Sequence, residues 1–245
     1  MSARTALVTG ASRGIGELVA RRLAAEGFDL TISARSTAPL DELAAALTAE
    51  HGVRVAVAGA DMSLEEDVRR LADVHRDIHG GLDLLVLNAG MGAIGAFADY
   101  PVRRLDKMLA INLRSAYVLT QELLPLLRVA GRDRPHGGRV IAVASTTGIV
   151  GEPLNSAYGA TKAALISWCE TFSTEESTGG VSATALCPGY VATAMTEGLA
   201  ETVPQDQMLP PEDVAEALVG LTRLTRRTVV PQLVLTRPGP HLWRA

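Results

Sequence analysis

The chain has 245 residues, of which 47% are hydrophobic and 4% aromatic, and its formal net charge is −4. That length fits one α/β domain with a sizeable core, and the negative charge, with no dense basic block, argues against nucleic acid as a partner. No apolar stretch is long enough to span a membrane, and residues 1–4 leave no room for a signal peptide before the first apolar run, so we expect a cytoplasmic protein.

Apolar runs and amphipathic stretches alternate along the chain. Seven apolar runs predict strands, at 4–9, 28–34, 53–58, 83–88, 138–145, 181–187 and 229–235. Six amphipathic stretches predict helices, at 14–26, 38–50, 63–79, 101–129, 156–177 and 211–224. The alternation predicts one α/β domain over residues 1–245, a Rossmann-type, doubly wound parallel sheet of about seven strands with helices on both faces. Residues 131–138 are expected to form a polar surface loop, and Cys169 and Cys187 to be reduced core residues.

A glycine turn joins the first predicted strand to the first predicted helix. Glycines let the backbone turn tightly and approach a pyrophosphate, whose charge the free N–H groups and the dipole of a helix N-terminus stabilise. The spacing is GxxxGxG and differs from the GxGxxG dinucleotide fingerprint. The turn predicts a phosphate-binding loop made of Gly10, Ser12, Arg13, Gly14, Ile15 and Gly16.

If the glycine turn holds the pyrophosphate of a dinucleotide, the end of the second predicted strand distinguishes NAD from NADP. A carboxylate there would bind the ribose hydroxyls of NAD, whereas a cation accommodates the 2′-phosphate of NADP. Arg35 stands at this end, and Arg13 in the turn supplies a second cation, whereas Asp29 begins the strand and belongs to the opposite edge. Either arginine alone would be a solvated surface residue, but the two together favour NADP(H).

Tyr158 and Lys162 are four residues apart on a predicted helix, which places a phenol and an ammonium on one face. A nearby cation favours the phenolate, so we expect Lys162 to lower the pKa of Tyr158 and make it an acid near neutrality. Ser145 ends the fifth predicted strand, and ligands bind at strand ends in open α/β sheets. A Tyr and a Lys at this spacing occur by chance in many helices, so the pair alone decides nothing.

Six motifs in register resemble the short-chain dehydrogenase/reductase family from about residue 4 to about residue 235. Within that family the chain is most similar to the bacterial 3-oxoacyl-acyl-carrier-protein reductase type. The motifs are Thr9-Gly10-(x)3-Gly14-Ile15-Gly16, Asn88-Ala89-Gly90, Asn112, Ser145, Tyr158-(x)3-Lys162 and Pro188-Gly189.

The resemblance implies reversible hydride transfer between a nicotinamide and a carbonyl or secondary alcohol, with no metal. It implies that Tyr158 protonates the alkoxide, Ser145 donates a hydrogen bond to the same oxygen, and Lys162 acidifies Tyr158 and binds the nicotinamide ribose. Asn112 would interrupt its helix and hold a water that links Lys162 to solvent. Beyond the turn, Arg35, Tyr158 and Lys162, the expected cofactor contacts are Asp61, Met62, Asn88, Ala89, Gly90, Pro188, Gly189, Val191 and Thr193. Asp61 could equally be a helix-opening residue, with Ser63 as the helix cap.

Residues 190–211 are expected to form a flap over an apolar substrate pocket. Composition alone would fit a solvent-exposed loop equally well, and the resemblance favours the flap. Its apolar residues are Met195, Leu199, Val203, Met208 and Leu209. We expect substrate contacts from Tyr190 and Met195, and an opposite wall formed by Gly92, Gly95, Phe97 and residues 147–150.

Two departures from the reductase pattern limit what the resemblance implies. Leu87 stands where these reductases usually have an Asn, and residues 236–243 replace their usual Asp-Gly-Gly ending. A strict acyl-carrier-protein substrate and the usual tetramer are therefore in doubt. An NAD(H)-dependent secondary alcohol dehydrogenase, or a non-catalytic nucleotide-sensing or scaffold protein of the same fold, remains an alternative.

The two longest predicted helices suggest assembly into a homodimer or homotetramer. Their apolar residues would need cover from a symmetry mate, unless all of them face their own sheet. These residues are Leu123, Leu126, Leu127, Trp168 and Phe172.

Overall fold

A computed structural model of the protein describes residues 3–199 and 203–239, and the side chain of Leu199 is not described. Two sequence predictions therefore lie outside the described residues. These are the part of the unusual ending beyond Gly239, and the contribution of the Leu199 side chain to the flap.

Within the described residues, seven strands form one parallel sheet in the order β3-β2-β1-β4-β5-β6-β7, which confirms the predicted fold class. The order reverses between β1 and β4, and ligands of open α/β sheets bind beside such a reversal, at the carboxyl ends of the strands. The strands are β1 (Arg4–Thr9), β2 (Phe28–Ala34), β3 (Val55–Gly59), β4 (Leu84–Leu87), β5 (Gly138–Val143), β6 (Val181–Pro188) and β7 (Gln232–Leu235).

In the part of the chain that the structure describes, seven α-helices connect these strands. They are α1 (Gly14–Ala25), α2 (Ala38–His51), α3 (Glu65–His79), α4 (Val102–Leu109), α5 (Ser115–Asp133), α6 (Ser156–Glu176) and α7 (Pro211–Leu221). A π-helical turn, Ala110–Arg114, separates α4 from α5, where the sequence predicted one continuous helix. None of the helices in residues 3–199 and 203–239 is long and apolar enough to cross a membrane.

The helices cover both faces of the sheet because successive strand residues point to opposite sides. Leu7 of β1 packs in a core with α3, α5 and α6, while Ala6 and Val8 pack in a second core with α1, α2 and α7. The central strands are therefore buried on both faces. The loops that follow these strands gather at the carboxyl edge of the sheet.

The predicted loop at 131–138 is wrong at its start, because α5 continues to Asp133. Gly131 is buried, and a Cβ on it would lie 2.6 Å from the carbonyl oxygen of Gly179. Close backbone packing against this neighbouring turn thus holds the helix through a residue with low helix propensity.

The residues expected to need cover from a symmetry mate are largely covered by their own chain. Leu123 and Leu127 are fully buried, Phe172 is 8% exposed, and Leu126 and Trp168 pack partly buried against the same core. Leu123, Leu127 and Phe172 therefore need no cover from a symmetry mate, and assembly into an oligomer stays a prediction.

Candidate active site

The turn between β1 and α1 has the close geometry that its glycines predicted. Gly10 and Gly14 adopt φ values of 67° and 58°, a left-handed conformation that favours glycine. A Cβ on Gly16 would lie 2.3 Å from the Gly10 carbonyl oxygen, so no larger residue fits there. α1 begins with no side-chain cap from Arg13, which leaves its first N–H groups available to an anion. Ser12 and Ile15 lie half-buried in the same turn.

The residues after β4 brace this turn. Asn88 Nδ2 donates to the carbonyl oxygens of Thr9 and Gly10, each at 3.0 Å. Thr9 Oγ1 in turn accepts from the N–H groups of Asn88 and Ala89, each at 3.0 Å. The Asn88 amide is thus committed inside the chain, so we expect it to act by positioning the turn.

Arg13 and Arg35 are both exposed, and within the described residues neither forms a hydrogen bond or an ion pair. Arg35 directly follows β2, at the edge where the glycine turn lies. Asp29 lies towards the opposite end of the strand, where its carboxylate accepts a hydrogen bond of 2.8 Å from the Arg54 N–H. Arg13 and Arg35 therefore lie at the carboxyl edge of the sheet and Asp29 at its amino edge, as expected.

Asp61 follows β3 and is held by its own loop. Its carboxylate accepts from the N–H and the hydroxyl of Ser63, at 2.9 and 2.7 Å, and these bonds hold the pKa of Asp61 below its usual value. α3 begins at Glu65 without a side-chain cap, so the alternative that Ser63 caps this helix is wrong. The Ser63 hydroxyl donates back to Asp61 instead. Met62 is buried in the core, so a contact with a nucleotide would have to come from its backbone.

Asn112 lies in the π-helical turn and is buried. Its amide accepts from the Met91 N–H at 2.8 Å and donates to the Met91 carbonyl oxygen at 2.9 Å and to Thr161 Oγ1 at 3.0 Å. A Cβ on Gly90 would lie 3.6 Å from both Asn112 Oδ1 and Lys162 Nζ. The interruption of the helix thus brings Asn112 beside α6, and a water between Asn112 and Lys162 stays a prediction.

Lys162 is buried, 4% exposed, and its ammonium donates a 2.7 Å hydrogen bond to the carbonyl oxygen of Val143. Burial lowers the pKa of Lys162 to about 8. Burial likewise raises the pKa of Tyr158 to about 12, and a hydrogen bond with Ser145 opposes that rise. The expectation that Lys162 lowers the pKa of Tyr158 is therefore wrong for this structure. Its Nζ lies 5.6 Å from the centre of the phenol ring and is bonded to Val143.

A polar network links Ser145 to an acid that the sequence analysis missed. Ser145 Oγ donates to Thr147 Oγ1 at 3.2 Å, and Thr147 Oγ1 donates to Glu152 Oε2 at 3.2 Å. Glu152 also accepts from Asn155 Nδ2 at 3.0 Å and from the hydroxyl of Tyr190. The sequence does show an acid between Ser145 and Tyr158, but it does not show which way the loop that carries this acid folds.

The segment after β6 returns to the glycine turn. Gly189 follows Pro188, the last residue of β6, and its N–H donates to the Leu235 carbonyl oxygen at 2.9 Å. Val191 is buried and forms an isolated parallel bridge with Leu209. A Cβ on Gly14 would lie 3.5 Å from Thr193 Cγ2, so this segment faces the turn across a narrow gap.

The apolar residues of the expected flap separate into two groups. Val203 and Met208 are buried and Leu209 packs against the core, whereas Met195 is 56% exposed. A Cβ on Gly92 would lie 3.7 Å from Met195 Sδ and 3.8 Å from the Tyr158 ring, so the segments after β4 and β6 meet at Tyr158. Of the expected opposite wall, Phe97, Ile149 and Val150 are exposed, Thr147 is buried, and Gly95 and Gly148 are partly buried.

Comparison with known proteins identifies the family to which this arrangement belongs. The family described as short chain dehydrogenase matches residues 4–204. The chain is a member of the short-chain dehydrogenase/reductase family. It is therefore an oxidoreductase, and the family that the sequence predicted is confirmed.

Two relatives and one solved structure are similar over most of this short-chain dehydrogenase. D-beta-hydroxybutyrate dehydrogenase of Cupriavidus necator is 36% identical over 89% of this chain and 83% of its own. Ketoacyl reductase HetN of a Nostoc species is 34% identical over 96% of this chain and 81% of its own. The alcohol dehydrogenase of the archaeon Thermococcus sibiricus, solved in complex with 5-hydroxy-NADP, superposes with a TM-score of 0.85 at 29% identity, covering 96% of this chain and 99% of its own.

Proposed function

We propose that this short-chain dehydrogenase is an NADP(H)-dependent ketoreductase that transfers a hydride between a nicotinamide and a carbonyl or secondary alcohol carbon. One observation carries the proposal. Tyr158 lies with Ser145 and Lys162 at the carboxyl edge of the sheet, the same edge as the glycine turn after β1. A proton donor and a phosphate cradle on one edge are what reduction of a carbonyl by a nicotinamide requires.

The residues around this edge fit the cofactor. The glycine turn leaves no room for side chains, and the first N–H groups of α1 have no side-chain cap, so a pyrophosphate can approach the backbone. Arg13 and Arg35 leave two uncommitted cations for a 2′-phosphate, and NADP in that role agrees with the 5-hydroxy-NADP complex of the structural relative. When bound, the cofactor supplies or accepts the hydride. The holding residues would be Gly10, Ser12, Arg13, Gly14, Ile15, Gly16, Arg35, Asp61, Met62, Asn88, Ala89, Gly90, Pro188, Gly189, Val191 and Thr193.

The chain's own residues then move the proton. With a pKa of about 12, Tyr158 holds its proton at neutral pH and can give it to the developing alkoxide. The Ser145 hydroxyl, which donates to Thr147 in this structure, would turn to donate to the same substrate oxygen. Lys162 would leave Val143 or share its protons between that carbonyl and the nicotinamide ribose.

We also propose a homodimer or homotetramer. Its support is three exposed apolar side chains, Val102 on α4 and Tyr117 and Val129 on α5. Light scattering that finds a monomer at micromolar concentration would contradict it.

Oxidation of NADPH in the presence of a panel of ketones tests the proposed reaction. Tyr158→Phe keeps the ring and removes the proton donor, so kcat should fall by roughly 10² or more while NADPH still binds. Tyr117→Phe, at an exposed position on α5, is the matched control and should keep normal turnover. Near-normal turnover of Tyr158→Phe, or no turnover of any ketone by the wild type, would contradict the proposal.

A further inference from the structure

We propose that Glu152 makes this site select uncharged ketones over ketones that carry a carboxylate close to the carbonyl. The inference rests on the proposed ketoreductase function and adds the charge class of its substrate. It assigns to Glu152 the role of a specificity-determining residue.

Glu152 stands between the two loops that flank the reacting end of the site. Through Thr147 it is two hydrogen bonds away from Ser145, and the Tyr190 hydroxyl donates to its other oxygen. A carboxylate accepts about four hydrogen bonds, and three donors within the chain already occupy this one. Glu152 is therefore held in place and has little capacity left for a substrate donor. Its main effect on a substrate is its charge.

Among residues 3–199 and 203–239, no cation forms an ion pair with Glu152. All three donors are neutral groups. Lys162 is bonded to the Val143 carbonyl, and the charge of Arg237 acts on Tyr190. At Tyr158, burial raises the pKa of the phenol, the hydrogen bond with Ser145 opposes that rise, and the negative charge of Glu152 adds to it, so this charge acts at the proton donor. A substrate carboxylate beside Tyr158 would meet the same negative charge.

Three exposed apolar side chains lie around the mouth of the site. Met195 Sδ and the Tyr158 ring both lie beside Gly92. The Gly95 N–H donates to the Leu154 carbonyl oxygen at 2.9 Å, and this bond joins the loops after β4 and β5. Leu154, Met195 and Phe97 are 53%, 56% and 84% exposed around this opening. Exposed apolar side chains at a cleft favour an apolar ligand body. An uncharged ketone with an apolar substituent could contact these apolar side chains and would not be repelled by the Glu152 carboxylate.

This selectivity would distinguish the chain from the relative that it resembles at 36% identity. That relative is named for D-beta-hydroxybutyrate, which is a carboxylate at neutral pH. A site for such a substrate needs a cation or several donors directed at the carboxylate. The described loop around Glu152 presents an acid instead.

The test compares matched substrates within each variant. We would measure kcat/KM with NADPH for 3-oxo acids of four, six and eight carbons and for their ethyl esters, which keep the carbonyl and remove the charge. The acid-to-ester ratio should be below about one tenth in the wild type and should rise about tenfold in Glu152→Gln, since a repelling charge is lost. Glu152→Ala should raise the ratio in the same direction even if its overall activity falls. The ratio is insensitive to the folded fraction because both substrates meet the same enzyme.

Glu170→Gln is the control, because it removes an acid from the exposed side of α6 and should leave the ratio unchanged. A wild type that prefers the acids, or that uses acids and esters equally, would overturn the inference. So would a ratio that is unchanged in both Glu152 variants. Failure to reduce any member of the panel would instead contradict the proposed function.

Discussion

The buried ammonium of Lys162 should make the stability of the fold depend on pH in a predictable direction. Burial lowers its pKa from 10.5 to about 8. Each tenfold change in proton affinity is worth about 1.4 kcal/mol, so the charged side chain costs the folded state about 3 kcal/mol below pH 8. Between pH 8 and 10.5 the unfolded chain binds more protons than the folded one, so stability rises with pH, and above 10.5 the cost is gone.

Lys162→Met isolates this contribution. The variant also loses the hydrogen bond to Val143, but that loss is the same at every pH and cancels when pH values are compared. The unfolding free energy of the wild type minus that of the variant should therefore increase by about 2.5 kcal/mol between pH 7 and pH 10. Urea unfolding followed by tryptophan fluorescence, at one protein concentration, measures it.

Lys107→Met is the matched control, since Lys107 is exposed on α4 and an exposed ammonium is solvated in both states. The difference in unfolding free energy between the wild type and Lys107→Met should not change between pH 7 and pH 10. A flat or falling difference for Lys162→Met would refute the reasoning, because it would mean that Lys162 keeps its proton in the fold as readily as in the unfolded chain.

Three further results are expected. Arg35→Asp should lower kcat/KM for NADPH relative to NADH by roughly 10² or more, since it removes a charge-assisted contact and adds a repelling charge. A wild type that prefers NADH, or an unchanged ratio, would favour the NAD(H)-dependent alternative. Gly16→Ala should destabilise the fold by about 1 to 3 kcal/mol and weaken NADPH binding, because its Cβ would lie 2.3 Å from the Gly10 oxygen and 2.5 Å from Asn88 Nδ2. Normal NADPH binding in calorimetry would contradict this expectation, since it would show that the turn can open freely. Burial lowers the pKa of His75 from 6.5 to about 4, so between pH 7 and pH 4.5 it is mainly the unfolded chain that takes up a proton at this position. The unfolding free energy of the wild type should therefore fall by about 2 kcal/mol relative to that of His75→Gln over this interval. Equal acid sensitivity of the two proteins in urea unfolding would contradict that last expectation.

The strands could be predicted because their signals are local. Five to eight apolar residues between glycines and polar turns predict a buried strand wherever the rest of the chain lies, and the alternation with helices then implies the parallel sheet. Ends were less accurate where a contact from elsewhere decides them. β5 stops at Val143, two residues before the predicted end, and α5 runs on to Asp133 because Gly131 packs against a distant turn.

The candidate site divides in the same way. Spacing alone predicted that Gly10, Gly14 and Gly16 share one turn and that Tyr158 and Lys162 share one helix. Hydrogen bonds across the fold could not be predicted from spacing. Ser63 donates back to Asp61, and Lys162 donates to the end of β5, because loop conformations and the alignment of neighbouring elements determine those partners. The hydrogen bonds of Glu152 could not be predicted from the sequence for the same reason.

Burial explains why the two titratable groups of the site depart from the sequence expectation in opposite directions. A buried phenol holds its proton more tightly and a buried ammonium holds it less tightly, since both shifts favour the neutral form. Tyr158 and Lys162 therefore approach a state in which neither is charged, with pKa values of about 12 and about 8. The proton that carbonyl reduction consumes is thus already on Tyr158 at neutral pH. In the proposed ketoreductase, this proton would pass to the developing alkoxide.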